Sequence, residues 1–174
     1  RAAGFYVEAV ASDYWTTRVQ FAEARDEQET FGDYPSIYDT VSRSARWDNT
    51  FAAGRHELVL GSELMVDEVD GTDDFAETSR TNAAVYGQGR LDFGASELLL
   101  SLRLDDNEAF GKEETGGIAY GYAVDRSHRV RVSYATSFRA PTFNDLYLTA
   151  PYYRGNPDLD AEQGEMVEVG FSGR

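Results

Sequence analysis

The stretch Glu97-Leu98-Leu99-Leu100-Ser101-Leu102-Arg103-Leu104-Asp105 decides the fold. Leu98, Leu100, Leu102 and Leu104 fall on one face of an extended chain. Glu97, Ser101 and Arg103 fall on the other, with Leu99 the one exception. A period of two marks a β-strand, because successive side chains leave opposite faces of the pleat. The same period recurs on both sides. Val130, Val132, Tyr134 and Phe138 share a face against Arg129, Arg131, Ser133 and Ser137. Ile118, Tyr120, Tyr122 and Val124 oppose the small residues Gly117, Ala119, Gly121 and Ala123. Leu58, Leu60, Leu64 and Val66 alternate with Glu57, Gly61, Glu63 and Asp67. Weaker alternation runs through residues 5–10, 15–23, 41–53, 81–91 and 165–171. Helical periodicity is nearly absent, so the expected class is all-β with about nine antiparallel strands.

The connections carry further information. Tight polar turns are expected near Ser12–Asp13, Gly54–His56, Asp92–Ala95 and Asp125–Ser127. Longer acidic or aromatic loops are expected near Glu29–Tyr38, Asp67–Ala76, Asp105–Glu113 and Arg139–Gln163. Short and long connections alternate, so in an up-and-down sheet all tight turns line one rim and all long loops the other. Membrane β-barrels show that asymmetry, and their strands need about 9–11 residues, which several of these reach.

Composition narrows the function. Acidic residues number 31 against 16 basic ones, a net charge of −15, which disfavours nucleic acid and anionic membrane surfaces as partners. There is no Cys, so disulfides and thiolate metal sites are excluded. No apolar run approaches the roughly 20 residues of a membrane helix. The chain begins at Arg1, without an initiator Met or leader, as a piece of something longer would.

Alternation gives two faces but not which one points outward. In a soluble barrel of lipocalin type, binding a small apolar ligand, the leucine face is the core. In a membrane barrel it faces lipid, and the Arg, Glu, Ser and Gly face lines a wet lumen. The loop asymmetry favours the membrane reading. Tyr14, Trp15, Trp47, Phe93 and Phe138, near strand ends, could form interfacial girdles, although strands favour aromatics in any case.

The least ordinary stretch runs from Ser137 to Gly170. It reads Ser-Phe-Arg-Ala-Pro-Thr-Phe-Asn-Asp-Leu-Tyr at 137–147 and Gly-Asn-Pro-Asp-Leu-Asp-Ala-Glu at 155–162, with Glu165, Glu168 and Gly170 beyond. Pro141, Pro151 and Pro157 mark a structured loop, because proline fixes φ and removes a donor. Here the sequence resembles the TonB-dependent outer-membrane receptors. The matching residues, in order, are Phe138, Arg139, Ala140 and Pro141, then Leu146 and Tyr147, then Gly155, Asn156, Pro157, Asp158 and Leu159, then Glu162 and Glu168. Ala161 stands where the family usually has proline. Within the family the chain looks most like the cobalamin (vitamin B12) transporters, on its short strands, Asp105–Gly111 and Asn144–Tyr147.

The resemblance implies a bacterial outer-membrane location and a barrel of about 22 strands plugged by a preceding domain. It implies a lipid bilayer around the barrel, an energy-coupling TonB complex engaged through that absent N-terminal part, and a large nutrient. Cobalamin is the expected nutrient, with a ferric siderophore as the alternative. Residues 1–174 then form a single barrel segment, with the plug and the final strands lying outside them.

Among candidate site residues, Arg139, Asn144, Tyr147, Tyr152, Tyr153 and Arg154 are the ligand candidates on the external rim, since rigid amphipathic rings suit a large chelate. Tyr147 and Leu146 could equally staple the loop. Arg18, Arg46, Asp48, Glu63, Arg90, Glu97, Arg103, Arg129 and Arg131 are expected as wall and plug-docking charges. No resident cofactor is expected. Asp67, Asp70 and Asp73 are possible Ca2+ donors, although their spacing does not fit an EF-hand. Nothing points to an enzyme: His56 and His128 sit beside tight turns, and no phosphate-binding glycine loop occurs.

Overall fold

The chain was analysed as a computed structural model, in which all residues but 33, 34, 152 and 174 are described. The strands are β1 (Ala2–Ser12), β2 (Trp15–Thr30), β3 (Ser36–Ala53), β4 (His56–Gly71), β5 (Asp74–Phe75), β6 (Ser79–Asp92), β7 (Ser96–Asn107), β8 (Gly111–Ala123) and β9 (His128–Arg139). A short helix α1 (Phe143–Tyr147) follows, then β10 (Leu148–Ala150), β11 (Tyr153–Arg154) and β12 (Glu162–Gly173). Nine strands form one antiparallel up-and-down sheet in the order β1-β2-β3-β4-β6-β7-β8-β9-β12. The other three form a small sheet, β11-β10-β5, at the long-loop rim.

The apolar face is uncovered. Leu102 is 56% exposed and Val169 72%. In the large sheet Val69 and Ala84 are the buried apolar residues among those described; Phe143, Leu146 and Leu148, the rest of the core, belong to the rim loop. The leucines therefore do not converge on a dry centre, and the sheet does not close on itself. That overturns the soluble closed-barrel alternative, since water would leave this area a large destabilising patch.

Register turns the pattern into geometry. One cross-strand row runs Met166, Ala135, Gly117, Ser101, Gln88, Val59, Thr50, Thr16. Glu165, the first charged residue met on the apolar face of β12, therefore shares a row with Thr17 on β2. On β2 the first charged residue of that face is Glu23, six residues further towards the long-loop rim (17 to 23). The polar boundary thus climbs about 20 Å across seven strand spacings, or about 34 Å, a slant of about 30°. Strands of membrane barrels tilt by about 35–45°, so a level apolar band drawn on tilted strands has this form.

The long-loop rim departs from expectation. Asp67–Gly71 lie in β4, and Asp105–Asn107 and Gly111–Glu113 lie in β7 and β8. The β7–β8 connection is only Glu108–Phe110, as tight as the turns of the other rim. Carboxylates can lie within a strand when donors beside them satisfy their oxygens. Asp105 is 4% exposed and accepts from Asn82 Nδ2 at 2.8 Å and Arg103 Nε at 2.9 Å (Oδ1 and Oδ2). Asp67 accepts from Ser42 Oγ at 2.5 Å. The long connections at this rim are Phe31–Pro35, Thr72–Thr78 and Ala140–Ala161.

The aromatics divide. Trp15 stacks on Phe51 at 6.0 Å towards the tight-turn rim, and Phe138 meets Phe110 at 5.9 Å towards the other. Trp47, expected at a strand end, lies mid-strand, four residues from both Arg43 and Phe51. Its indole N–H donates to Thr17 Oγ1 at 2.9 Å, which satisfies the one polar atom an apolar band would strand.

Candidate functional site

The polar face carries an extended side-chain network. Arg18 donates to Glu8 Oε2 at 2.9 and 2.5 Å. Arg103 bridges Glu63 at 2.8 Å and Asp105 at 2.9 Å. The guanidiniums of Arg46 and Arg103 lie 4.9 and 5.6 Å from the Tyr86 ring centre, while the Tyr86 hydroxyl donates to Asp48. Arg90 stands 4.0 Å from Glu97. Arg129 and Arg131 have no ion pair among the described residues. Arg18, Arg46, Arg90 and Arg103 are thus paired with carboxylates of the same wall, largely in exposed pairs. Tyr86 and Asn82 are members that the charge pattern alone does not reveal.

At the long-loop rim the chain builds a cap. Thr142 is the N-cap of α1, accepting from the Asp145 backbone N–H at 3.2 Å. The Asp145 carboxylate in turn accepts from Thr142 Oγ1 at 2.7 Å and the Thr142 N–H at 2.9 Å. Those bonds, the hydroxyl first, hold the Asp145 carboxyl below the ordinary carboxylate range. The cap has its own core: Phe143, Leu148 and Leu146, the last 1% exposed. Gly155 lies against the helix, where an added Cβ would stand 2.6 Å from the Leu146 carbonyl carbon. Its N–H donates to Leu148 O at 2.8 Å, and Asn156 N–H to Asp145 O at 2.8 Å. The Gly-Asn-Pro motif thus clasps α1 through backbone contact, which only a residue without Cβ permits.

The cap joins two connections distant in sequence. Leu148 and Thr149 of β10 pair with Phe75 and Asp74 of β5. The Ala76 N–H donates to Tyr147 O at 3.0 Å. Under the cap, on the polar face, a hollow of about 320 Å3 is lined by Asp26, Gln28, Tyr38, Thr40, Asp67, Arg80, Thr142, Phe143 and Asn144, among others. A larger trough of about 810 Å3 crosses the apolar face along Val19, Trp47, Leu64, Val85 and Leu104, over Ala45, Ser62 and Ala83. Most of its lining is apolar and suits acyl chains, while Asp106, Lys112 and Glu114 bound it at the long-loop end.

The expected ligand residues are dispersed. Asn144 lines the hollow. Arg139 lies outside it, its Nη1 3.7 Å from Glu162 Oε2. Tyr147 packs on Phe143, ring centres 6.3 Å apart, as a loop staple. Tyr153 and Arg154 are exposed on β11, and Tyr152 lies outside the described residues. The possible Ca2+ donors are not brought together. Asp67 is held by Ser42 and Arg80, Asp73 accepts from the Tyr38 hydroxyl at 2.6 Å, and Asp70 leaves the opposite face of β4 from Asp67. Among the described residues no group of three or more His, Asp or Glu side chains could hold a metal ion. His56 accepts from the Asp92 N–H at 3.2 Å and His128 faces Asp125 at 2.9 Å, both at tight turns.

A family model described as "TonB dependent receptor-like, beta-barrel" matches residues 3–173. The chain belongs to that family. A vitamin B12 transporter BtuB of Photobacterium profundum is 32% identical over 167 residues, 94% of this chain and 27% of that protein. The vitamin B12 transporter BtuB of a Vibrio cholerae serotype O1 strain is 29% identical over 169 residues, 93% of this chain and 27% of that protein. Among solved structures, the siderophore receptor PirA from Pseudomonas aeruginosa superposes with a TM-score of 0.79 at 20% identity, over 99% of this chain and 35% of that one. The copper transporter OprC superposes with a TM-score of 0.76 at 14% identity, over 99% and 36%. The chain spans about a quarter of the length of the curated relatives it matches. As a TonB-dependent barrel segment, its apolar face is the outer wall and its polar face the lumen.

Proposed function

We propose that this segment forms wall and external rim of a TonB-dependent receptor in a bacterial outer membrane, and that the intact receptor imports cobalamin. The TonB complex drives uptake through a preceding plug, and no covalent chemistry takes place in the segment. A nutrient too large to diffuse through a porin is what makes a plugged, energised barrel necessary.

The observation that carries the substrate reading is the lining of the capped hollow. Gln28, Tyr38, Thr40 and Asn144 supply neutral donors and acceptors. The one cation there among the described residues, Arg80, is engaged by Asp67 at 3.2 Å. An anionic ferric chelate needs free cationic donors, whereas a neutral ligand rich in carboxamides needs hydrogen-bonding partners of the kind present. The vitamin B12 transporters among the relatives support the same reading. Likeness to siderophore receptors at 20% identity and below speaks for the fold alone.

The test is titration of the intact receptor with cyanocobalamin and, separately, with ferric chelates. Saturable cyanocobalamin binding is expected; binding of iron chelates alone would replace cobalamin with a siderophore.

A further inference from the structure

We infer that Arg80 is a positioning residue for ligand capture: it fixes the rim cap to the barrel wall and so presents Asn144 to the hollow. The inference rests on the receptor reading above and deepens it. Arg80 sits near the long-rim end of β6, where register places it opposite Asp67 of β4. Its side chain is only 14% exposed and makes three engagements. Nε donates to Asp67 Oδ2 at 3.2 Å, Nη1 donates to the Pro141 carbonyl at 2.7 Å, and the guanidinium lies 4.8 Å from the Phe143 ring centre.

These contacts have a direction. Asp67 holds one edge of the guanidinium on the wall. The other edge and the flat face hold Pro141 and Phe143, the residues on either side of the N-cap Thr142. Asn144 follows directly. From α1 the chain runs into β10, which pairs with β5, so both connections move with the helix. A planar fork that stacks and donates at two edges suits this task, and a lysine ammonium offers neither the plane nor the second edge. Arg80 is thereby committed to the protein through Nε, Nη1 and the face of its guanidinium.

The test uses the intact receptor, with cyanocobalamin as probe. Arg80→Gln should weaken binding about tenfold, within the range of coupling carried through packed contacts, and Arg80→Lys should recover little of it. The pair Asp74→Cys and Thr149→Cys, directly opposite on β5 and β10, can form a disulfide because cross-strand partners lie within bonding range. Residues 1–174 contribute no other cysteine, and any elsewhere in the receptor is first replaced by serine. Oxidising that pair in the Arg80→Gln background should restore binding to within about twofold of the parent, and reduction should abolish the rescue. Parent-like binding by Arg80→Gln, or a loss the crosslink fails to repair, would overturn the inference. Trypsin cleavage after Arg154 gives a readout without ligand, and Arg80→Gln should accelerate it. Faster cleavage in a receptor that ignores cyanocobalamin would sink the cobalamin reading and leave the positioning role standing. Unchanged cleavage would sink the positioning role.

Discussion

Tyr86 of β6 lies across Gly61 of β4, so closely that a Cβ at residue 61 would stand 2.3 Å from the phenol ring. The two are register partners on the lumen face. The glycine makes room for the ring, and the ring carries the Arg46, Asp48 and Arg103 contacts. A backbone vacancy on β4 is thus what lets polar side chains of β3, β6 and β7 meet around one ring.

Gly61→Val should displace Tyr86 and leave Asp48 and Arg46 short of a partner. The expected cost is about 1 kcal/mol, since the half-exposed Arg46 keeps its Asp48 ion pair at 3.1 Å. Denaturant unfolding of the intact receptor in detergent measures it. Tyr86→Ala combined with Gly61→Val should cost less than the sum of the two, since the clash is then gone.

Gly155→Ala should damage the cap and spare the wall. The methyl group would meet Leu146 and Tyr147 backbone atoms at 2.6–2.7 Å, and backbone cannot give way as a flexible side-chain tip can. Ligand affinity should fall and protease cleavage between residues 150 and 161 should rise, while the unfolding midpoint of the barrel stays put. A lowered barrel midpoint would mean that the cap and the wall form one cooperative unit.

The cap should also weaken in acid. The Asp145 pKa is lowered in the folded protein, mainly by the Thr142 hydroxyl and then by the Thr142 backbone N–H. Its stabilising contribution is therefore complete above the unfolded carboxylate pKa of about 3.9 and is lost as pH falls through the lower folded value. A fluorophore on the cap should report loosening in that acid window. Thr142→Ala, which removes the N-cap, should cost about 1 kcal/mol of cap stability and move the loosening to higher pH.

The alternation of Leu98–Leu104 made the sheet legible, because a half-covered strand needs no distant information to show its period. The rim was less legible for the same reason. Asp67 and Asp105 resemble solvated loop acids until register brings Arg80 and Ser42 beside the first and Asn82 beside the second, which also pairs with Arg103 two residues back on its own strand. Thr142 and Asp145 form a capping box, but with Asp in place of the usual Glu or Gln the spacing is a weak signal, and the segment reads as a structured loop without α1. The joining of β5 to β10 left no such trace, since it pairs residues some 70 positions apart. Of the described ligand candidates only Asn144 lines the hollow, because side-chain type sets what a loop residue can do and the cap's backbone sets where it points.

Which side of the sheet meets lipid decides the rest. Spin labels on single cysteines introduced at residues 97–105 of the intact receptor in a bilayer test it directly, with any cysteine outside residues 1–174 first replaced by serine. Oxygen accessibility should peak at 98, 100, 102 and 104, with a water-soluble relaxant peaking at 97, 101 and 103. Oxygen peaks at the odd positions, or no alternation at all, would contradict the assignment of the leucine face to lipid.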